Sequence, residues 1–128
     1  WQYYFEKGMV KEEGSYKEGR KDGHWIFWSP YKFKDSEGDY KDEKPEGLWT
    51  YYYETGVKSM EQTFKDGKLS GLCSSWYENA QLKSTTSYII VKEKSGRTES
   101  KPNGKWSYFD KNGKLIMETT YKKVVKVE

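Results

Sequence analysis

The sequence predicts an all-β fold, an elongated antiparallel β-meander of about five stacked β-hairpin repeats. Aromatic residues recur at a constant period, as at Trp1, Trp25 and Trp49, and glycine-containing corners recur in phase with them. Such periods are typical of stacked arrays in which each unit is one supersecondary element. We expect one repeat domain over 1–128, with repeats near 1–22, 23–46, 47–70, 71–103 and 104–128.

Two aromatic columns define the repeat. The first is mostly tryptophan and keeps an even spacing until an insertion precedes its last member, and the second follows each position of the first at a constant offset. The two columns are Trp1, Trp25, Trp49, Cys73, Trp106 and Tyr16, Tyr40, Phe64, Tyr88, Tyr121. Because Cys73 stands at a tryptophan position, we interpret it as a small buried substitute.

The third repeat illustrates how each unit folds. Aromatic and β-branched residues dominate 47–53, which predicts a strand, and Glu54-Thr55-Gly56 predicts the turn that follows. The return strand runs over 57–64 and ends at Lys65-Asp66-Gly67-Lys68, whose Asp-Gly pair supplies the positive φ values that tight hairpins need. One repeat is therefore expected to be one hairpin.

The remaining units follow this plan with local departures. Repeat one has Gly8 and Lys17-Glu18-Gly19 at its corners, and repeat five has Lys111-Asn112-Gly113-Lys114, a strong hairpin signal. Repeat two replaces the glycine turn by Ser29-Pro30-Tyr31-Lys32, and repeat four has Ala80 at the glycine position.

Two segments fall outside the regular plan. The polar insertion from Lys92 to Asn103 lacks an apolar anchor, so we expect a mobile protruding loop or a longer hairpin there. The tail Val124 to Val127 replaces the usual Gly corner and is expected to run on as an edge or capping segment.

Alternation of side chains assigns the columns to faces of the sheet. The two defining columns share a face and predict a continuous aromatic ladder that joins the repeats. A third column lies three positions after each tryptophan position, on the opposite face, and comprises Tyr4, Trp28, Tyr52, Trp76 and Phe109. This column either packs inward or against a neighbouring molecule, or forms a binding stripe for a peptide, an extended glycan or a partner surface.

Composition restricts the function classes. Charged residues make up 34% of the chain, but the net charge is only +3 and the charges are dispersed, which argues against nucleic acid as a partner. No stretch approaches the roughly 20 apolar residues of a membrane span. One cysteine excludes an intrachain disulfide, and one histidine makes a metal cluster improbable.

Catalytic motifs are missing from the sequence. The chain contains no P-loop, no HExxH, no CxxC and no G-x-S-x-G. Carboxylates that recur 12 positions after the tryptophan positions are interpreted as a solvated face paired with lysines. They are Glu13, Glu37, Glu61 and Glu118. We therefore expect no enzyme activity, no cofactor and no metal.

The repeated pattern Gly-x-Trp-x-x-Tyr-Tyr-x-x-Gly, followed by Lys, Glu and Tyr, resembles the variant MORN repeat of bacterial proteins. The closest segments are GLWTYYYETGVKSMEQTFKDG and GKWSYFDKNGKLIMETTYKK, and repeats two and four are degenerate. The resemblance implies a hairpin array and an antitoxin-like grouping. MORN-bearing lipid kinases keep their catalytic domain apart from the repeats, so the resemblance carries no kinase activity to this chain.

Three functional hypotheses follow. The leading one is a protein-interaction module, and the second is a peripheral binder of anionic phospholipid, motivated by Lys17, Lys41, Lys65 and Lys122. The third is a cell-surface repeat that binds glycans. The chain opens on a repeat's tryptophan without methionine, which indicates that the native N-terminus is missing, and both cytoplasmic and exported or surface-associated locations fit. We expect either end-to-end self-association or further repeats upstream. Exposed sheet edges also predict edge-to-edge self-association.

Overall fold

A computed structural model describes residues 1–4 and 10–121 of the chain. Those residues form twelve β-strands and no helix. The strands are Gln2–Tyr4 (β1), Val10–Lys17 (β2), Arg20–Trp28 (β3), Lys34–Lys41 (β4), Lys44–Tyr52 (β5), Lys58–Lys65 (β6), Lys68–Leu69 (β7), Gly71–Trp76 (β8), Leu82–Lys92 (β9), Thr98–Pro102 (β10), Gly104–Phe109 (β11) and Leu115–Tyr121 (β12).

All strands belong to one antiparallel sheet. The order is β1-β2-β3-β4-β5-β6-β8-β9-β11-β12, while β7 pairs with β6 and β10 pairs with β9. Strands of the main path thus follow one another in sequence order, and these ten strands extend over roughly 43 Å at a spacing of about 4.8 Å. The predicted all-β meander of hairpins is confirmed. Within the described part of the chain, no helix has the length and apolarity to cross a membrane.

One kind of turn contains five residues and keeps its geometry where the sequence departs from the repeat. In the third repeat the Tyr53 amide donates to the Val57 carbonyl at 2.8 Å, and the Gly56 amide donates to the Tyr53 carbonyl at 2.9 Å. The same bond pair recurs at 29–33, 77–81, 93–97 and 110–114. Its fourth residue is left-handed at φ 70° for both Lys32 and Ala80, where glycine would be free of strain.

The other kind of turn has two central residues with positive φ, as type I′ hairpins require. Such turns join Lys17 to Arg20, Lys41 to Lys44 and Lys65 to Lys68. Successive turns also bond to one another. The Glu43 amide donates to the Lys21 carbonyl at 2.9 Å, and one repeat later the Gly67 amide donates to the Pro45 carbonyl at 3.1 Å.

The insertion from Lys92 to Asn103 forms a longer hairpin. β10 pairs with the end of β9 from Thr98↔Lys92 to Pro102↔Tyr88, and the tight turn is confined to 93–97. The Ser100 hydroxyl donates to the Leu69 carbonyl at 2.7 Å, and the Lys68 ammonium donates to the Thr98 carbonyl at 2.6 Å. Of the two expected alternatives, the structure shows the longer hairpin, in which backbone pairing and these side-chain bonds take the place of an apolar anchor.

Two expectations fall on residues outside the described ranges. They are the Gly8 corner of the first repeat and the tail from Val124 to Val127. Lys122, which belongs to the lysines that motivate lipid binding, also lies outside them.

The core is a layer of aromatic rings on one side of the sheet. Trp25 is fully buried and Trp49 is 5% exposed, whereas Trp1 at the edge is 71% exposed. Among the described strands, those of central units have a neighbour on both sides and β1 pairs with β2 alone, which explains this gradient.

Candidate binding surfaces on the two faces of the sheet

The face that carries the tryptophan column is called the ladder face. Three of its indoles donate to a backbone carbonyl at the same place in the preceding unit. Trp25 Nε1 donates to the Ser15 carbonyl at 3.0 Å, and Trp49 Nε1 donates to that of Asp39 at 2.9 Å. Trp106 Nε1 donates to the Ser87 carbonyl at 3.0 Å, across the insertion. Each of these indoles therefore ties its strand to the preceding unit.

Two glycines make room for these indoles. A Cβ on Gly14 would lie 2.2 Å from the Trp25 ring, and a Cβ on Gly38 would lie 2.2 Å from the Trp49 ring. Real Cβ atoms do not approach so closely, so the buried indoles require glycine there. One repeat later both members of the pair are different. Gln62 stands at the position of Gly38, and Cys73 stands at the position of Trp49.

Ring contacts link most of the predicted ladder. They run from Trp1 through Tyr16, Trp25 and Tyr40 to Trp49, with centroids 5.0 to 6.3 Å apart. They resume at Tyr88 and continue through Trp106 to Tyr121. Among the described residues no ring pair joins Phe64 or bridges Cys73. The expected continuity is therefore wrong, because cysteine supplies no ring at the fourth position.

A further aromatic column on the ladder face escaped the sequence analysis. It lies two positions after each tryptophan position and comprises Tyr3, Phe27, Tyr51, Ser75 and Tyr108. Phe27 packs 6.4 Å from Trp25 and 6.0 Å from Trp49, so it contributes to the same layer. The even spacing of Tyr3, Phe27 and Tyr51 could have revealed this column, with Ser75 as its exception.

The opposite face is called the stripe face because the third predicted column lies on it. Trp28 Nε1 donates to Glu13 Oε1 at 3.1 Å. Glu13 Oε2 accepts the Gln2 amide at 2.8 Å, and Gln2 Oε1 accepts the Tyr4 hydroxyl at 2.8 Å. Tyr4 and Trp28, one repeat apart, are thus connected through a carboxylate.

A charged cluster surrounds Tyr52. The Tyr52 hydroxyl donates to Glu37 Oε2 at 2.6 Å, and Lys34 Nζ donates to the same oxygen at 3.0 Å while lying 5.7 Å from the Tyr52 ring centroid. His24 Nε2 lies 2.9 Å from Glu37 Oε1, and His24 Nδ1 lies 2.9 Å from Asp39 Oδ1. Both carboxylate oxygens of Glu37 are therefore engaged, Oε2 by two donors and Oε1 by His24.

These contacts shift the pKa values of the cluster. Burial opposes ionisation of Glu37, but hydrogen bonds from Tyr52, Lys34 and His24 outweigh it and lower the Glu37 pKa to about 2. Burial and the bond to Glu37 raise the pKa of Tyr52 to about 12. The bond to Asp39 is the largest influence on His24, and with Glu37 it raises the pKa of the imidazole.

The same arrangement recurs one repeat later around Trp76. Lys58 Nζ lies 5.4 Å from the Trp76 ring centroid and 2.9 Å from Glu61 Oε2. Further along, Lys105 Nζ lies 3.0 Å from Glu118 Oε2. Glu37, Glu61 and Glu118 are therefore paired with lysines as expected, whereas Glu13 bonds to an indole and an amide, and Glu37 and Glu61 are more buried than a solvated face implies.

Phe109, the last member of the column, lies beyond this charged arrangement. Beneath Trp76 the preceding unit supplies Glu61 and Lys58, whereas the corresponding positions for Phe109 are the uncharged Thr85 and Leu82. The stripe face also exposes Leu48 and Leu72, at 53% and 61%. Aromatic, aliphatic and paired charged side chains therefore alternate along this face.

Residues 1–4 and 10–121 contain no group of three or more His, Cys, Asp or Glu side chains placed to hold a metal ion. His24 is engaged by carboxylates on both ring nitrogens. Cys73 is a free, buried thiol.

Comparison with protein families agrees with the geometry. The family model described as MORN repeat variant matches residues 1–18, 45–66 and 102–123, which fall in the first, third and fifth hairpin units. No curated protein is significantly similar to the chain. MORN repeats are in general modules that bind proteins or membranes. The hairpin units between the matched segments share their turn and strand geometry. Three of the hairpin units of the chain thus match the variant MORN repeat.

Proposed function

We propose that the chain is a non-catalytic module that binds another protein through its stripe face. The observation that supports this proposal is a row of aromatic side chains whose positions are fixed by polar contacts. Trp28 and Tyr52 each donate a hydrogen bond to a carboxylate, and Trp76 lies under the ammonium group of a lysine. Side chains that are already held in one conformation lose less conformational entropy when a partner binds. Aromatic anchors with polar partners are typical of protein interfaces. A toxin held inactive by this face would be the antitoxin-like form of the proposal.

The charge pattern of the stripe face favours a protein over an anionic membrane. Lys34, Lys58 and Lys105 lie within 3.0 Å of Glu37, Glu61 and Glu118, respectively. Paired charges produce little net field, and adsorption to anionic lipid requires an excess of unpaired positive charge. A protein surface can complement alternating charges of both signs.

The non-catalytic part of the proposal rests on His24. Both of its ring nitrogens lie 2.9 Å from carboxylate oxygens, and its pKa is raised by those contacts. When the imidazole is protonated, both nitrogens donate to these carboxylates and neither is free to accept a proton from a substrate.

Affinity capture with charged variants tests the proposal. Leu48→Glu and Leu72→Glu place a carboxylate on the stripe face at exposed positions, so the fold is retained while binding should fall. Tyr31→Glu is the matched control, because Tyr31 is 82% exposed and lies in a turn. The proposal predicts a protein captured by the wild type and the control and lost by both leucine variants. Equal capture by all four proteins would contradict it.

One observation favours anionic phospholipid as a second candidate. Basic pairs flank three successive type I′ turns, namely Lys17 with Arg20, Lys41 with Lys44 and Lys65 with Lys68. The three turns lie side by side at the same end of the strands, so these basic pairs form a row. Vesicles containing phosphatidylserine would bind the wild type and lose a Lys17→Glu/Lys41→Glu variant if this row contacts lipid. Equal flotation with neutral vesicles would exclude it.

A further inference from the structure

A trough of about 220 Å³ lies on the ladder face, where the aromatic layer is interrupted. Its floor consists of small side chains on β8 and β9, including Cys73, Ser75, Ser84 and Thr86. Larger side chains form the walls, with Met60 and Gln62 on β6 and with Trp106 and Tyr108 on β11.

Two missing rings create the trough. Other units carry tryptophan at the position of Cys73 and phenylalanine or tyrosine at the position of Ser75. The sheet itself is uninterrupted here, since β8 pairs with β6 through Met60↔Ser75 and with β9 through Ser75↔Ser84. Space that neighbouring units fill with their own aromatic side chains is therefore left open above a continuous backbone.

The dimensions of the trough suit one side chain. Its volume is below the roughly 300 Å³ at which small-molecule pockets begin. β6 and β11 are separated by three strand spacings, about 14 Å, so a ring above β8 and β9 would lie about 7 Å from the line of each wall strand. Side chains that lean from the walls would then come within roughly 4.5–7 Å of that ring, the separation at which aromatic pairs interact.

The chemistry of the trough is neutral. Its ten lining residues include no Lys, Arg, Asp or Glu, although such residues make up 34% of the chain. Three other clefts of the described residues each carry a charged side chain. The Ser75 and Ser84 hydroxyls bond to each other across the floor. Depletion of charge with aromatic residues and methionine on the walls is typical of the centre of a protein interface.

We propose that this trough binds an aromatic side chain, tryptophan or tyrosine, of a partner polypeptide. The inserted ring would occupy the place of the rings absent at Cys73 and Ser75 and would pack against Trp106, Tyr108 and Met60. The proposal rests on the proposed function in that the partner is a polypeptide, but the site lies on the face opposite the stripe.

Two other ligand chemistries fit less well. A phosphate group would find no cation among the lining residues. A sugar ring could stack on Trp106 and bond to Gln62 or Thr86, but Met60 would offer the sugar hydroxyl groups only a weak acceptor. Both chemistries are included as outcomes of the test.

The test is an NMR titration of the intact chain with N-acetyltryptophanamide. The proposal predicts saturable chemical-shift changes concentrated at Thr86, Trp106 and Tyr108. N-acetylleucinamide, cellobiose and inorganic phosphate, titrated in parallel, should produce smaller changes there. A larger response to cellobiose or phosphate, or no saturable change up to the solubility limit of the indole probe, would overturn the proposal.

Variants that fill the trough complete the test. Because the buried indoles of Trp25 and Trp49 each lie over a glycine on the preceding strand, the filling variant is Gln62→Gly/Cys73→Trp, which reproduces the pair of Gly38 and Trp49. Ser75→Tyr fills the second gap independently. Both should weaken binding of the probe by about tenfold or more, whereas Cys73→Ser keeps the trough open and should retain binding. Unchanged affinity in both folded filled variants would contradict the assignment.

The outcome is separable from that of the proposed function. Leu48→Glu and Leu72→Glu alter the stripe face and should leave the indole titration unchanged. If the titration fails while capture through the stripe face persists, the trough proposal alone is wrong.

Discussion

At the scale of single residues, Trp25 and Trp49 illustrate how few side chains hold this thin protein together. Each indole is buried, donates to a backbone carbonyl of the preceding unit and covers a glycine that has no Cβ. The glycine and the indole are therefore a coupled pair on adjacent strands. A change at either member disturbs a contact between two repeats.

Trp49→Ala should destabilise the fold more than Tyr52→Ala. Truncation of a buried tryptophan costs about 3 to 5 kcal/mol, because a cavity opens and the bond to Asp39 is lost. Tyr52 lies on the stripe face and is partly exposed, so its loss chiefly removes one donor from Glu37. Chemical denaturation measures both variants, and equal shifts of the denaturation midpoint would mean that the two faces are equally buried.

His24 should titrate above its ordinary pKa of 6.5. As the single histidine, it gives an unambiguous signal in an NMR pH titration. Asp39→Asn should lower the measured pKa more than Glu37→Gln, because the bond to Asp39 is the stronger influence. An unshifted pKa, or the opposite order of the two variants, would contradict the contacts of His24 with these two carboxylates.

The raised pKa of His24 also makes the free energy of unfolding depend on pH. A raised pKa in the folded state means that the contribution of His24 is fully present below pH 6.5 and is lost as the pH rises through the folded value. The free energy of unfolding should therefore fall over that interval in the wild type. His24→Gln should remove this part of the pH dependence.

At the scale of elements, the five-residue turns keep the same backbone geometry even where their fourth residue is not glycine, which costs conformational energy. Ala80 adopts φ 70° at a position where Gly56 and Gly113 stand in other units. A left-handed conformation costs a non-glycine residue roughly 1 to 2 kcal/mol, partly offset by the greater freedom of glycine in the unfolded chain.

Ala80→Gly should consequently stabilise the chain, by up to about 1 kcal/mol. Gly56→Ala is the matched reverse change and should destabilise it by a similar amount. Thermal denaturation of both variants measures the difference. Destabilisation by Ala80→Gly would mean that the turn at 77–81 does not have the hydrogen-bond pattern described above.

The inserted hairpin offers a second test at this scale. Glu93 lies in its turn and Glu99 lies in β10, so a protease specific for glutamate samples both. Cleavage after Glu93 should precede cleavage after Glu99, because β10 is paired with β9 and bonded to β7. Mass spectrometry of early fragments identifies the first site. Simultaneous cleavage at both would indicate a mobile loop.

At the scale of the whole molecule, periodicity in the sequence was sufficient to predict the architecture. The spacing of Trp25 and Trp49 predicted one hairpin per repeat, and alternation predicted opposite faces for Trp49 and Tyr52. Strand pairing is local here, since strands of the main path follow one another in sequence order, so local signals determined the topology.

Features that depend on exceptions to the period were harder to predict. Thr98–Pro102 forms a strand because it pairs with β9, and the polar composition of this segment does not predict that pairing. The trough arises because Cys73 and Ser75 are small in the same unit, and its neutrality depends on which side chains four different strands place around them. The cluster at Glu37 likewise joins residues of three strands.

The central claim is that a protein partner contacts the stripe face, and site-specific photo-crosslinking measures this most directly. A photoreactive phenylalanine derivative would replace Leu72 on the stripe face or, as the matched control, Tyr31 in a turn. Both positions are exposed, so each reports contacts without disturbing the core. We expect a crosslinked protein of defined mass from position 72 and none from position 31. Equal crosslinking from both positions, or crosslinking of lipid alone, would contradict the claim.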